Sequence, residues 1–379
     1  MAPIAPPPRL LPLLLVIAVL PGARRPASGC FTAIFSFGDS IADTGNAVRL
    51  GSLGASSGSP PYGRTFFDRP TGRFSDGRVI IDFIAQGLGL PLVRPYLDGG
   101  SGDDFRQGAN FAVGGATALD LDFFSSKGIQ ASWTDRSLRV QIESFKQLLS
   151  SLSSDTKEVL NSSLILMGEI GGNDYNHPFF QGINADEVRT FVPSVIGAIG
   201  SAINDLIELG VKTLLVPGNF PIGCIPAYLD VFQSKNVEDY DSQTGCLKWL
   251  NEFSEYHNRL LQDELDRLRK LHPHVTIIYA NYYDATISFF RDPQLFGFKA
   301  PLHACCGSDG PYGVNRFVQC GHKDATVCSD PSSSISWDGI HLTEAAYETI
   351  ARSLLEGPHA KPPITQACPG AQQSAIDDF

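Results

Sequence analysis

Ala33-Ile34-Phe35-Ser36-Phe37-Gly38-Asp39-Ser40 is the stretch on which the fold turns. A short apolar run ends at Gly-Asp-Ser, which has the length and punctuation of a buried strand running into a turn. The theme recurs: Leu164-Ile165-Leu166-Met167 leads into Gly171-Gly172-Asn173-Asp174, and Thr213-Leu214-Leu215-Val216 into Pro217-Gly218. A fourth run, 275–279, also ends at a polar loop. Between the runs lie helical patterns. In 249–271, Leu250, Phe253, Leu260, Leu261, Leu265, Leu268 and Leu271 follow the 3.6-residue period, with Glu252, Glu255, Asp263, Glu264, Arg267 and Lys270 opposite. Segments 78–87, 138–150, 186–209 and 343–355 read similarly, the last capped by Thr343. Strand and helix alternate, so the class is α/β, with a parallel sheet covered by helices on both faces. Such sheets place their chemistry in the loops after the strands.

The 379 residues are 43% hydrophobic and 18% charged, enough to bury a substantial core in one large domain. Formal charge is −11. The first 29 residues hold Arg9, Arg24 and Arg25 and no acid, so the remainder sets 26 basic residues against 40 acidic ones. That balance, with no basic cluster, argues against nucleic acid or an anionic membrane surface as partner. The run from Leu10 to Leu20 is too short for a bilayer of ~30 Å, and Ala27-Ser28-Gly29 offers a cleavage site. Residues 1–29 therefore read as a secretory signal, 30–356 as the domain, and 357–379 as a polar tail held only by Cys368. Eight cysteines, at 30, 224, 246, 305, 306, 320, 328 and 368, then imply disulfides, and Asn161-Ser162-Ser163 is a glycosylation sequon at Asn161. The Gly/Ser/Pro-rich segment from Gly51 to Gly77 carries Tyr62, Phe66 and Phe67 and reads as a lid or rim that contacts substrate.

Ser40, at a strand-to-turn position with small neighbours, is a candidate nucleophile if a base can take its proton. Acyl transfer also needs donors aimed at the developing oxyanion. The backbone N–H groups of Ser40 and Gly115, within the loop 110–117, and the Asn173 amide could supply three. Of the eight histidines, His177, His341 and His359 follow a carboxylate by three residues, so spacing alone does not choose the base. His359 adjoins the tail, and His177 shares a segment with the proposed donor Asn173. Asp338 and His341 share a short loop before the last helix, where the carboxylate can hold the imidazole tautomer.

The blocks 37–46, 108–117, 171–174 and 338–341, in that order, resemble the four signature blocks of the plant GDSL esterase/lipases of the SGNH hydrolase superfamily. The resemblance spans about residues 31–356. It implies a three-layer α/β/α, flavodoxin-like fold, with Ser40 as nucleophile, His341 as base, Asp338 as its orienting partner, and Gly115 and Asn173 as oxyanion donors beside Ser40. No cofactor is implied. The crowding of His303, Cys305, Cys306, Cys320, His322 and Cys328 invites a metal reading, but adjacent Cys305-Cys306 lacks zinc spacing and an oxidising compartment favours disulfides. The segments 60–67 and 301–315 resemble the subgroup that includes acetylajmalan esterase, sinapine esterase and xylan or arabinoxylan deacetylases. The expected reaction is ester hydrolysis, first of acetyl groups on a cell-wall polysaccharide, with small metabolite esters such as choline or alkaloid esters next. Long-chain lipolysis ranks third, and a carbohydrate-binding protein without catalysis is the answer of a different class. The sequence leaves the oligomeric state open.

Overall fold

All four apolar runs become strands in the computed structural model, which describes residues 1, 31–51, 55–152, 156–315 and 317–367. β1 spans Ala33–Ser36, β2 Gly108–Asn110, β3 Ser163–Leu166, β4 Thr213–Pro217 and β5 Thr276–Ala280. They pair in parallel in the order β2-β1-β3-β4-β5. Apart from Met1, the expected leader lies outside the described residues, as do Cys30 and Cys368.

The strands carry apolar residues on both faces because both faces are covered. Ala33, Phe35, Ile165, Leu214, Val216 and Ile277 point into one core, shared with the helices Leu138–Ser151, Val192–Leu209 and Lys248–Leu271. Their neighbours Ile34, Leu164, Leu166, Leu215 and Ile278 point into the other, shared with Ile80–Gly87, Tyr282–Arg291 and Glu344–Leu355. This two-residue alternation produces the three layers. In Lys248–Leu271 five of the seven predicted stripe residues are buried: Leu250, Phe253, Leu261, Leu265 and Leu268 face the core, each contributing roughly 1.5–3 kcal/mol by leaving water, whereas Leu260 is half-buried and Leu271, at the helix end, is exposed. The Thr343 hydroxyl caps the last helix, accepting from Ala346 N.

Three expectations change. The predicted helix 186–209 is two helices, Ala185–Arg189 and Val192–Leu209. Pro193 explains the break, since proline is tolerated in the first turn of a helix and not in its interior. Residues 172–180 are helical, so His177 lies on a helix rather than in the loop that precedes it. The segment after Gly357, expected to be a loose tail, returns to the sheet. β6 (Cys306–Gly307) and β7 (Thr326–Val327) form a small separate antiparallel pair, and β8 (Ala360–Lys361) runs antiparallel to β5. Ala360 and Ile364 are buried in the second core.

The site follows from strand order. The chain passes from β1 outward to β2, then back across β1 to β3, so the loops after β1 and β3 diverge and leave a crevice at their carboxyl ends. Gly38-Asp39-Ser40 lies in the first, and the second ends at Gly171, which opens the helix that carries Asn173 in its first turn.

Candidate active site

The turn after β1 depends on Gly38. Its φ of 133° is one that residues with side chains avoid, and a Cβ there would lie 2.8 Å from the Glu169 carbonyl oxygen. Gln141 clasps the glycine from both sides, accepting from Gly38 N at 2.9 Å and donating to its carbonyl at 2.8 Å. Asp39 N then donates to Glu169 O at 3.1 Å, tying this loop to the one after β3. Among the described residues no protein group takes the N–H of Ser40 or of Gly115.

Block 110–117 is fixed to the same loop by buried polar side chains. The Asp43 carboxylate accepts from Gly45 N, Asn46 N, Ala47 N and, at 2.8 Å, from Gly114 N. Asn46 donates to the carbonyls of Asn110 and Ala112 at 2.7 and 2.8 Å. Gly115 adopts φ +85°, and a Cβ would fall 2.7 Å from the Trp133 Cβ, so the backbone donor there requires glycine. Asp174 joins the third block to the second by accepting from Ala118 N and Leu119 N at 2.8 and 3.0 Å. Its burial pushes its carboxyl up to about 7.

Ser40, His341 and Asp338 meet although the first two stand 301 positions apart in the chain. His341 Nε2 lies 2.8 Å from Ser40 Oγ, and His341 Nδ1 lies 2.7 Å from Asp338 Oδ2. The other Asp338 oxygen accepts the N–H groups of Ile340 and His341 at 3.0 and 2.8 Å, closing the short loop on itself. Burial works to raise the Asp338 carboxyl, but the His341 charge and these hydrogen bonds outweigh it and hold the group below the usual carboxylate range. The loop is braced from outside: Cys305 N donates to Ser336 O and Cys306 N to Trp337 O. The disulfides Cys305–Cys328 and Cys306–Cys320 lock that brace, and Cys224–Cys246 borders the cleft.

The other two candidate bases are elsewhere. His177 is buried against Trp133 with ring centroids 4.0 Å apart, and burial pulls its imidazole down to about 4. His359 is also lowered by burial, and its carbonyl accepts from Asn281 N.

Asn173 stands in the first turn after Gly171. Its amide donates to Asp39 Oδ2 and to Ala116 O, both at 3.0 Å, and accepts from Asn176. Asp39 and Glu169 are buried side by side and hydrogen-bond to each other. Burial raises both carboxyls, and the charge of Glu169 raises Asp39 further, so the pair retains a proton where isolated carboxyls would not. Sequence reasoning did not single out this pair. Its signal was available in Gly168-Glu169-Ile170-Gly171, an acid immediately after an apolar strand.

The rim aromatics are placed differently from expectation. Tyr62 is 3% exposed, and its hydroxyl donates to Asp338 Oδ2 at 2.8 Å, so it touches the Asp-His pair rather than a passing sugar. Phe66 and Phe67 lie outside the cleft lining, beneath the guanidinium groups of Arg78 and Arg73 at 4.1 and 4.7 Å. Arg73 is itself held in a buried two-bond pair with Asp82, at 2.7 and 2.8 Å, which fastens the rim to helix Ile80–Gly87. Phe74, from the same segment, packs on the His341 ring at 4.7 Å. Asn161 is exposed at the end of helix Thr156–Asn161.

A cleft open to solvent runs from Ser40 and Asn173 between Phe220, Ile222, Tyr228 and Phe290. With Ser40 and Asn173 in its lining and His341 and Asp338 joined in line to Ser40, the arrangement can bind a carbonyl, attack it and hold the resulting oxyanion.

The sequence pattern of the family described as GDSL-like Lipase/Acylhydrolase matches residues 34–354. GDSL esterase/lipase At1g28570 of Arabidopsis thaliana is 52% identical over 347 residues, covering 89% of this chain and 88% of that protein. The sinapine esterase of Brassica napus is 50% identical over 357 residues, covering 92% of each. Among solved structures, an acetyl-xylooligosaccharide esterase from Geobacillus Stearmophilus aligns over 87% of this chain and 94% of its own, with 13% identity and a TM-score of 0.38, a likeness too distant to bear on function.

Proposed function

Because the chain belongs to the GDSL-like lipase/acylhydrolase family and is a carboxylic ester hydrolase, we propose that Ser40 is its nucleophile and that small esters with a sizeable apolar part are its substrates. The observation that carries the first half is the unbroken run Ser40 Oγ, His341, Asp338, at 2.8 and 2.7 Å, beside the unpaired N–H groups of Ser40 and Gly115. Ser40 Oγ attacks the ester carbonyl as His341 Nε2 takes its proton. The oxyanion is received by the N–H groups of Ser40 and Gly115 and by the Asn173 amide, which turns one hydrogen away from Asp39. Burial raises the Asp39 and Glu169 carboxyls, which lessens the negative charge that the pair sets beside the oxyanion. Protonated His341 then delivers its proton to the departing alcohol, leaving an acyl-enzyme on Ser40. Water repeats the sequence and releases the acid.

The cleft carries the second half. Its walls are apolar and ring-rich, which suits an aromatic or short branched acyl or alcohol group. The sinapine esterase relative supports the same class. Deacetylation of a xylan-type polysaccharide is the second reading. It is favoured by a secretory route, itself inferred from the apolar run Leu10 to Leu20, but Tyr62, Phe66 and Phe67, its intended sugar platforms, are engaged elsewhere. The decisive experiment is turnover of p-nitrophenyl acetate by the purified protein beside Ser40→Ala. Equal rates would overturn the nucleophile. Acetate release from acetylated xylan faster than hydrolysis of aryl esters would reverse the substrate order.

A further inference from the structure

The cleft beside Ser40 mixes apolar walls with several polar side chains, and two of the polar ones stand apart. Asn219 and Thr286 both line it, they are 2% and 3% exposed, and neither Asn219 Nδ2 nor Thr286 Oγ1 has a hydrogen-bond partner. Buried polar atoms are nearly always paired, so two orphans on one cleft need a reason.

Neither is an accident of loose structure. Asn219 follows β4 and its backbone is held at both ends by one side chain: Asn219 N donates to Asn258 Oδ1 at 2.6 Å, and Asn258 Nδ2 donates to Asn219 O at 2.9 Å. Thr286 sits in helix Tyr282–Arg291, where hydroxyls ordinarily bond back to a carbonyl of the preceding turn. Ser288 does so in the same helix, to Ala285 O at 2.6 Å, and Thr349 in the last helix does so to Ala345 O at 2.9 Å. Thr286 does not.

We propose that Asn219 and Thr286 form a recognition site for a hydroxyl group carried on the apolar part of the substrate, which makes a phenolic acyl ester the class this cleft selects. The inference rests on the ester-hydrolase reading above. A hydroxyl can accept from the Asn219 amide or exchange a hydrogen bond with the Thr286 hydroxyl, so it pairs groups that the free protein leaves without a partner. A hydrocarbon leaves both unpaired. A carboxylate would meet Asp39 and Glu169, which line the same cleft. Phe220, Tyr228 and Phe290 among the walls suit an aromatic carrier for the hydroxyl.

A site built to hydrogen-bond a substrate hydroxyl discriminates strongly against the analogue that lacks it. The test compares methyl 4-hydroxycinnamate with methyl cinnamate as a ratio of kcat/KM. The wild-type protein is expected to favour the hydroxylated ester by about tenfold or more, and Thr286→Val and Asn219→Ala each to bring that ratio toward unity. Because the Thr286 hydroxyl is unpaired in the free protein, Thr286→Val should also leave Tm unchanged or raised, an outcome that a structural hydrogen-bonding role would not give. A wild-type ratio near unity, or a ratio that both variants leave untouched, overturns the subsite while p-nitrophenyl acetate turnover upholds the esterase. Absence of turnover on every ester overturns both.

Discussion

The hydroxyl of Tyr62 and the carboxylate of Asp338 are 2.8 Å apart although 276 residues separate them in the chain. The bond links a rim segment to the group that orients the proposed base. Tyr62 also meets Trp337 edge to face at 5.9 Å, inside the small cluster formed with the two disulfides at Cys305 and Cys306. Burial and the negative charge of Asp338 push the Tyr62 phenol well above its ordinary range, so it stays a donor throughout the working pH range. Tyr62 is therefore a positioning residue.

Tyr62→Phe keeps the ring packing and deletes only the donor. The expected result is a three- to tenfold loss in kcat/KM, in keeping with one hydrogen bond to a charged group. The acid limb of the pH–rate profile should move to higher pH, because an Asp338 carboxylate with one donor fewer holds the imidazolium more strongly. An unchanged profile with an unchanged rate would remove Tyr62 from the site.

Gly115→Ala tests the oxyanion donor. The substituted Cβ meets Trp133 at 2.7 Å, and φ +85° disfavours any side chain, so the N–H must move off its line. The expected loss is about 10²–10³ in kcat with little change in KM, as for removal of one donor that acts on the transition state. A loss confined to KM would place Gly115 in substrate binding instead.

His177 gives a prediction about stability. Its imidazole is drawn down to about 4 by burial, whereas in the unfolded chain it titrates near 6.5. A depressed folded-state value means that the contribution is complete above about 6.5 and is lost as pH falls toward about 4. His177→Phe should therefore gain about 2 kcal/mol relative to wild type between pH 7.5 and 4.5, read from urea unfolding at each pH. Asp174 and Asp76, raised by burial to about 7 and about 6, act in the opposite direction, losing stability as pH rises through those values, but they are common to both proteins and cancel in the difference. Turnover at pH 8 should survive in His177→Phe and vanish in His341→Ala; the reverse would exchange the two histidines.

What could be read from the sequence was what has a local signature. Four apolar runs of strand length pointed to the α/β class, blocks after two of them singled out Ser40 and Asn173, and the Gly-rich block 110–117 singled out Gly115. The stripe at 249–271 marked a helix packed along one side. What could not be read depends on distant partners or very short elements. β8 is two residues long, too short to show any periodicity. Phe66 and Phe67 look like free aromatic platforms until Arg73 and Arg78 are placed over them. The Asp39–Glu169 pair and the Tyr62–Asp338 bond join residues whose spacing along the chain carries no hint of contact.

The return of Ala360–Lys361 to the sheet has a practical side. Cutting the chain where its last long helix stops would strip the outer neighbour from β5, opening the edge at Tyr279 and freeing the N–H of Asn281 from the His359 carbonyl, so that another molecule could zip on. Shortened versions ending near 356 should therefore clump or fail to accumulate even with every reacting group present. The segment past that helix works as a gatekeeper against self-association.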